Sequence, residues 1–336
     1  MTKVLITGGA GFIGSACAKK LMDRGDQVVF IDNFNDYYDP RLKEDRIKIF
    51  LKGYKFTPAP KRNKEGFLVR GFKLYRGDIR DTKLIDRIFK KEKIEKVIHL
   101  AALAGVRNSL RDPRSYFDVN VMGSINLLEA AVKYKINNFV FASSSSVYGN
   151  NKKMPFSESD NVDTPISPYA ASKKADELIA HAYHHIYGLN VTALRFFTVY
   201  GPWGRPDMAL FLFADAISKG KPINVFNRGR MSRNFTYIDD IVSGAITVLD
   251  KCHGYGVMNI GGDREETLMR YIEVLEKSLG KKAKKNLLPM QPGDVPSTVA
   301  DIRKLKKLGW KPTTRIDQGI PNFVEWYKEY YKLDPK

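Results

Sequence analysis

Residues 4–32 constrain the fold of this chain more than any other stretch. Val4-Leu5-Ile6 is a short, wholly apolar run, and Gly8-Gly9-Ala10-Gly11-Phe12-Ile13-Gly14 follows it. A helical pattern then continues through Leu21, and Val28–Ile31 forms a second apolar run closed by Asp32. Runs this short and unbroken read as strands buried on both faces, the habit of parallel sheets. Gly9, Gly11 and Gly14 fit the dinucleotide spacing, and Gly8 adds a second, overlapping one. The first glycines permit a tight turn and close approach of the backbone to a pyrophosphate. The last lets helix pack on strand, and the helix N-terminus favours the anion. A carboxylate ending the next strand accepts hydrogen bonds from ribose hydroxyls and repels a 2′-phosphate, so NAD is expected rather than NADP.

The same alternation recurs downstream. Val97–Leu100, Phe139–Phe141 and Val191–Leu194 are further buried-type strands, and helical stretches lie around Thr82–Lys91, Ser115–Lys135 and Tyr169–Tyr187. Strand and helix taken in turn predict an α/β fold with a doubly wound parallel sheet. Ligands bind such sheets at the carboxyl ends of the strands. The glycines, Asp32, the run Ala101–Ala104, Ser143–Ser146 and Arg195–Tyr200 all fall at such ends. Asp78, in Arg76-Gly77-Asp78-Ile79-Arg80, reads either as a ligand of the adenine amino group or as a helix cap. Beyond Gly201 the pattern loosens into turns and short helices near Phe211–Lys219, Glu266–Leu279 and Gln318–Tyr331. A cofactor domain over 1–195 is expected, with a strand and helix near 235–262 returning to it. A smaller α/β substrate domain is expected over 196–330. Gly53–Phe72 reads as an exposed insertion or a hairpin with no assignable chemistry.

Composition narrows the partners. The 336 residues carry a formal net charge of +19, with eleven Lys and Arg against three acids in Arg41–Lys73. A basic balance of this size admits nucleic acid, but there is no zinc-ligand spacing, no aromatic-basic RNA signature and no basic tail. A small anionic substrate is the expected partner instead of nucleic acid. The apolar runs are strand-length and broken by Gly, Asn or charge, so no membrane span is expected. The start of the chain leads straight into the glycine turn and does not read as a signal peptide. Cys17 and Cys252 are too few for a disulfide framework and read as plain buried residues, which places the protein in a reducing cytoplasm. The five histidines suggest no metal pair.

Tyr169 and Lys173 stand at i and i+4, one turn apart on one helix face. An ammonium held beside a phenol favours the phenolate. A hydroxyl from Ser143–Ser146 completes a proton-transfer trio for a reacting alcohol or carbonyl. By itself Tyr-x-x-x-Lys occurs by chance on many solvated helices; its weight comes from sharing a chain with the glycine turn.

Together these residues resemble the extended short-chain dehydrogenase/reductase family over nearly the whole length. The resemblance rests on Thr7–Gly14, Asp32-Asn33-Phe34-Asn35, Gly77–Arg80, His99–Ala102, Asn120-Val121-x-Gly123, Ser143–Gly149 and Pro168-Tyr169-x-x-Ser172-Lys173. It implies a Rossmann-type sheet and nucleotide-sugar chemistry on a permanently held NAD. It also implies that NAD lies against Gly8, Gly11, Phe12, Ile13, Gly14, Asp32, Asn33, Asn35, Asp78, Ile79, Leu100, Ala101, Ala102, Ala104 and Asn120, with Tyr169 and Lys173 at the nicotinamide. In the family the tyrosine accepts and returns the proton, the lysine binds the nicotinamide ribose, and a Ser or Thr matching Ser144 shares a hydrogen bond with the reacting hydroxyl. A homodimer built on helices matching Asn126–Ala131 and Leu178–Tyr187 is a further implication.

Branches of the family differ in the stretch before Val147-Tyr148-Gly149. The 4,6-dehydratases resemble Thr-Asp-Glu-Val-Tyr-Gly and the UDP-glucuronate decarboxylases resemble Thr-Ser-Glu-Val-Tyr-Gly. Here Ser144-Ser145-Ser146 supplies no acid for elimination, which points to a 4-epimerase. Three stretches resemble the group that epimerises UDP-glucuronate: Asn33–Pro40, Arg195–Met208 and Met290–Val295. Epimerases of UDP-glucose usually have Asn in place of Thr198 and Arg in place of Gln291. Thr198 and Arg205, helped by Ser145 or Ser146, are therefore expected to read the sugar carboxylate. Arg233 and Asp294 match positions that hold the diphosphate and the uridine ribose. The other reading of Arg205 is a plain ion pair with Asp207. The runner-up substrate is UDP-glucose or UDP-N-acetylglucosamine, with decarboxylation of UDP-glucuronate behind it.

Overall fold

The computed structural model describes residues 2–52, 56–58, 67–69, 72–291 and 293–333, with 56–58 and 67–69 described as backbone alone. Nine strands form the main sheet among these residues: β1 Lys3–Thr7, β2 Gln27–Asp32, β3 Phe56–Pro58, β4 Phe67–Val69, β5 Phe72–Arg76, β6 Lys96–His99, β7 Asn138–Ser144, β8 Val191–Phe196 and β9 Tyr255–Ile260. Their order is β9-β8-β7-β6-β1-β2-β5-β4-β3. The seven strands from β9 to β5 run parallel, and β4 and β3 extend the edge antiparallel. Within the Gly53–Phe72 insertion, these two strands and Phe72, which opens β5, are described, and the remaining positions lie outside the described residues.

The strand order reverses between β1 and β6, which opens a crevice at the carboxyl ends there. Register sets what lines it: Thr7 pairs Ile31 on one side and His99 on the other, and Ser143 and Ser144 pair Arg195 and Phe196. Side chains alternate between the two faces of each strand. Val4 and Ile6 join the core under the helices Phe12–Asp23 and Ile238–Lys251. Leu5 and Val29 join a second core under Thr82–Glu92, Gly123–Lys133 and Pro168–Tyr187. Burial on both faces is why these strands read as unbroken apolar runs. Cys17 and Cys252 are free thiols buried beneath the first pair of helices.

The helical stretch read around Ser115–Lys135 is helical in the structure but in three pieces: a short α-helix Pro113–Tyr116, a π-helical stretch Phe117–Met122, and the α-helix Gly123–Lys133. The widened turn has a tertiary cause. It carries Asn120, which is fully buried and bonded to Leu103 and Ser172.

The rest of the chain builds short ladders around helices Ala209–Ser218, Leu268–Leu279 and Ile316–Tyr331. Thr198–Tyr200 pairs parallel with Phe235–Tyr237, and Ser232–Arg233 lies between Glu266–Thr267 and Ser297–Thr298. Aromatic rings fill the space between the helices, with Phe235 stacked on Tyr271 at 3.9 Å and Phe211 edge-on to Phe323. No described helix is long and apolar enough to cross a membrane.

Candidate active site

The turn after β1 is shaped by close approach. Gly8 takes φ +69°, and a Cβ there would lie 2.9 Å from the Ala101 nitrogen. A Cβ on Gly14 would lie 2.2 Å from the Gly8 carbonyl oxygen, which itself accepts the Gly11 N–H at 2.9 Å. The helix that follows has no acid in its first turn, so its orphan N–H groups and positive dipole end face the turn without an anion of their own. A cradle that any side chain would fill, at a bare helix N-terminus, fits the pyrophosphate of a dinucleotide.

Asp32 sits beside it, almost wholly buried. Its two oxygens accept from Ala10 N at 3.0 Å and Phe34 N at 2.9 Å. Each still has a lone pair for a ribose hydroxyl. Burial raises its carboxyl above the ordinary range, opposed by Lys43 and by those two N–H groups. Asn33 donates to Asp78 at 3.0 Å, and its own side-chain oxygen accepts from Asn35 N at 3.1 Å. Asp78 also takes three bonds from Arg80. Burial would raise Asp78, but the Arg80 and Asn33 bonds win and hold it at about 2. The helix cap is Asp81, whose side chain accepts from Leu84 N, so the cap reading of Asp78 fails.

Past β6, the segment 101–105 is held from several sides. Thr7 Oγ1 accepts from Leu100 and Ala101 N–H at 3.1 Å each. The Ala104 carbonyl accepts from Tyr37 at 2.5 Å and Tyr116 at 3.0 Å. Asn120 bonds the N–H and C=O of Leu103 and donates its second amide hydrogen to Ser172. Both of its amide hydrogens are thus engaged within the protein, and Asn120 shapes the Ala101–Ala104 wall.

Ser144 ends β7 and caps the turn Ser145–Tyr148, its Oγ accepting from Ser146 N at 3.1 Å and donating to Ser146 Oγ at 3.0 Å. Tyr169 stands in the first turn of the helix Pro168–Tyr187, after the cap Ser167 and Pro168 at the first position. Tyr116 meets the Tyr169 ring edge-on at 6.1 Å. Lys173 is buried, and its ammonium bonds Asp176 at 3.2 Å.

Thr198 lies half-buried in the ladder with Phe235. Arg205 follows a strained turn in which Gly201 has φ +144° and Trp203 φ +62°. The fully buried Arg46 holds that turn, donating to Trp203 O at 3.0 and 2.7 Å, to Gly204 O at 3.1 Å and to Ala10 O at 3.2 Å. Arg205 Nε and Nη2 bond Asp207 at 3.0 and 2.6 Å, and its guanidinium lies over the Tyr37 ring at 5.5 Å. The ion pair with Asp207 therefore exists, and it leaves Nη1 unbonded among the described residues. Arg205 and Tyr169 are near enough for their charges to interact.

Arg233 donates to the carbonyls of Ser232, Val295 and Pro296. Asp294 pairs with Arg107 at 3.1 Å. Gln291 Oε1 is buried with no hydrogen-bond partner among the described residues, an orphan acceptor suited to a ligand donor. Sequence reasoning missed Arg46, Asp176 and Glu177. Glu177 accepts two bonds from Arg195, at 2.8 and 2.7 Å, and one from Ser143 at 2.5 Å, pinning the Tyr169 helix to β7 and β8. The available signal was two adjacent acids one turn past Lys173 on an alanine-rich helix.

Comparison with known proteins gives concordant results. Residues 4–261 match the model of the NAD dependent epimerase/dehydratase family. A protein of Arabidopsis thaliana named UDP-glucuronate 4-epimerase 4 is 46% identical over 99% of this chain and 77% of its own length. A probable UDP-glucuronate 4-epimerase of Rhizobium meliloti is 43% identical over 98% of both. The solved structure of UDP-glucuronic acid 4-epimerase from Bacillus cereus, with UDP-glucuronic acid and NAD, superposes with a TM-score of 0.88 at 36% identity. It spans 98% of this chain and 100% of its own.

Proposed function

The chain belongs to the NAD dependent epimerase/dehydratase family, and we propose that it interconverts UDP-glucuronate and UDP-galacturonate by epimerisation at C4 through a 4-keto intermediate. One observation carries the choice of substrate. Arg205 is fixed near Tyr169 with one edge held by Asp207 and Nη1 left to bind, beside a serine turn that has no acid for elimination.

Bound NAD supplies the hydride acceptor for C4 and the hydride that returns. The glycine cradle, Asp32, Asn33, Asp78 and the Ala101–Ala104 wall would hold it. Tyr169, as the phenolate, takes the proton from the 4-hydroxyl and later gives it back, while Ser144 Oγ bonds the same oxygen. Lys173 supplies positive charge at the nicotinamide end. Arg233 anchors the diphosphate, and Asp294 and Gln291 hold the uridine end, so the keto sugar can turn over about its bond to the diphosphate and present its other face. The division of labour is a cofactor domain over 1–195, joined by the strand and helix near 235–262, and a substrate domain over 196–330. The intermediate is a β-keto acid, which loses CO₂ when its carboxylate stands perpendicular to the ketone plane. Thr198, Ser145 and Arg205 clamp that carboxylate, so the same contacts select the substrate and protect it.

The protein acts as a cytoplasmic homodimer. Supporting the dimer, Leu178, Ile186 and Tyr187 of one helix and Phe117 and Met122 of a neighbouring one are large apolar residues left exposed. Light scattering on the eluted protein reads the assembly directly.

The function is tested by NMR of UDP-glucuronate incubated with purified protein and no added cofactor. A mixture with UDP-galacturonate is expected. A pentose nucleotide would identify a decarboxylase. No change, with UDP-glucose converted under the same conditions, would identify a neutral-sugar epimerase.

A further inference from the structure

Asp176 is a buried carboxylate, 1% exposed, two turns beyond Tyr169 on the same helix. Its Oδ2 receives the Lys173 ammonium at 3.2 Å, and both side chains are almost wholly removed from water. Its Oδ1 has no hydrogen-bond partner among the described residues. Such a group is expensive to bury, and an apolar residue of its size would pack here at lower cost.

The surroundings leave Asp176 as the carboxylate available to balance the lysine. From its own helix, Lys173 and Glu177 face it, and Glu177 is already committed to Arg195 by two hydrogen bonds. From the helix Gly123–Lys133, Ser124 faces it. Behind Ser124 lies His99 of β6, its ring bonded to Ser124 at 3.0 Å and to Thr7 at 2.6 Å. Burial, and then the Lys173 charge, lower His99 to about 3, so it is neutral. The Lys173 ammonium is thus held at Asp176 on its own helix.

We propose that Asp176 is a positioning residue for Lys173: a buried counter-ion that anchors the ammonium and offsets part of its field at Tyr169. The proposal rests on the reading of Tyr169 as the acid–base group. Asp176 lies seven positions past Tyr169, a rise of about 10.5 Å along the helix axis. A unit charge at that distance displaces a titration by roughly one pH unit.

The test is the pH dependence of kcat/KM for UDP-glucuronate in the wild type, Asp176→Asn and Asp176→Glu, with Tyr169→Phe alongside. Removing the negative charge should move the acidic limb down by roughly one pH unit, with KM little changed, and Asp176→Glu should restore it. An unmoved limb, or one displaced upward, overturns the proposal if Tyr169→Phe is inactive, and leaves the acid–base reading standing. Turnover retained by Tyr169→Phe overturns the acid–base reading and the proposal with it. Should Asp176→Asn fail to fold, Asp176→Ser removes the same charge and reads the same limb.

Discussion

Charge placement at single residues decides what this site can do. Tyr169→Phe removes the oxygen proposed to take the 4-hydroxyl proton and keeps the ring that meets Tyr116, so kcat should fall by at least about 10²-fold with the melting temperature unchanged; near-normal turnover would rule the assignment out. Arg205 presents a planar fork that a bare carbon–oxygen group cannot match. Arg205→Ala should raise KM for UDP-glucuronate by roughly ten- to a hundredfold and release a pentose nucleotide together with CO₂. Slower epimerisation without CO₂ would reject the protective role while leaving the selective one. Asp176 yields a stability prediction with a definite sign. Burial raises its carboxyl from 3.8 to about 6 against the pull of Lys173 and Ser124. The folded state therefore holds this proton more tightly than the unfolded chain, and the contribution is lost as pH climbs from about 4 through 6. Asp176→Asn has no such proton, so its melting temperature should gain on the wild type across that window and run parallel above it. A constant difference across the window would show that Asp176 does not titrate there.

At the scale of elements, the helix Pro168–Tyr187 is the part on which the site depends, since it carries Tyr169 near its start and Lys173 a turn later. Its cap is Ser167, whose side chain accepts from Ala170 N at 3.1 Å. Ser167→Ala should cost about 1 kcal/mol of stability, seen in denaturant unfolding, and should also lower kcat because Tyr169 sits in the turn that frays. Unchanged kcat beside lowered stability would mean that packing alone fixes Tyr169. This helix and the strands beside it were legible in the sequence because burial on one face, or on both, leaves a period in the apolar residues. The glycine turn was legible because side chains are excluded there whatever surrounds them. The π-helical stretch Phe117–Met122 was not, because its extra width serves Asn120, which reaches Leu103 and Ser172 through bonds that no local period encodes. The Asp176 partner of Lys173 was not legible for a related reason. Spacing along a helix says which residues share a face, but Asp176, one turn on, decides which way a long flexible side chain lies. Arg46 left no trace either, since its partners at Trp203 and Gly204 are more than 150 residues away.

For the whole molecule, 56 basic residues against 37 acidic ones set a field of +19 around a site for an anion. Many of these charges are locally paired at the surface, as in Lys19–Asp23 and Lys133–Asp86, and such pairs contribute little to stability. The unbalanced remainder acts at longer range, drawing anions toward the protein before any contact forms. Local and global attraction separate by salt. The Debye length is about 10 Å at 0.1 M, so the long-range field is screened while the Arg205 and Arg233 contacts, partly out of water, are screened much less. Raising ionic strength from about 0.02 to 0.3 M should therefore lower kcat/KM severalfold with kcat nearly constant. UDP-glucuronate carries one more negative charge than UDP-glucose, so its kcat/KM should fall more steeply. The difference between the two slopes measures the field, and the salt-resistant preference for the acid measures the carboxylate contacts. Equal slopes would mean that the basic surface plays no part in capture and that discrimination rests wholly on Thr198, Ser145 and Arg205.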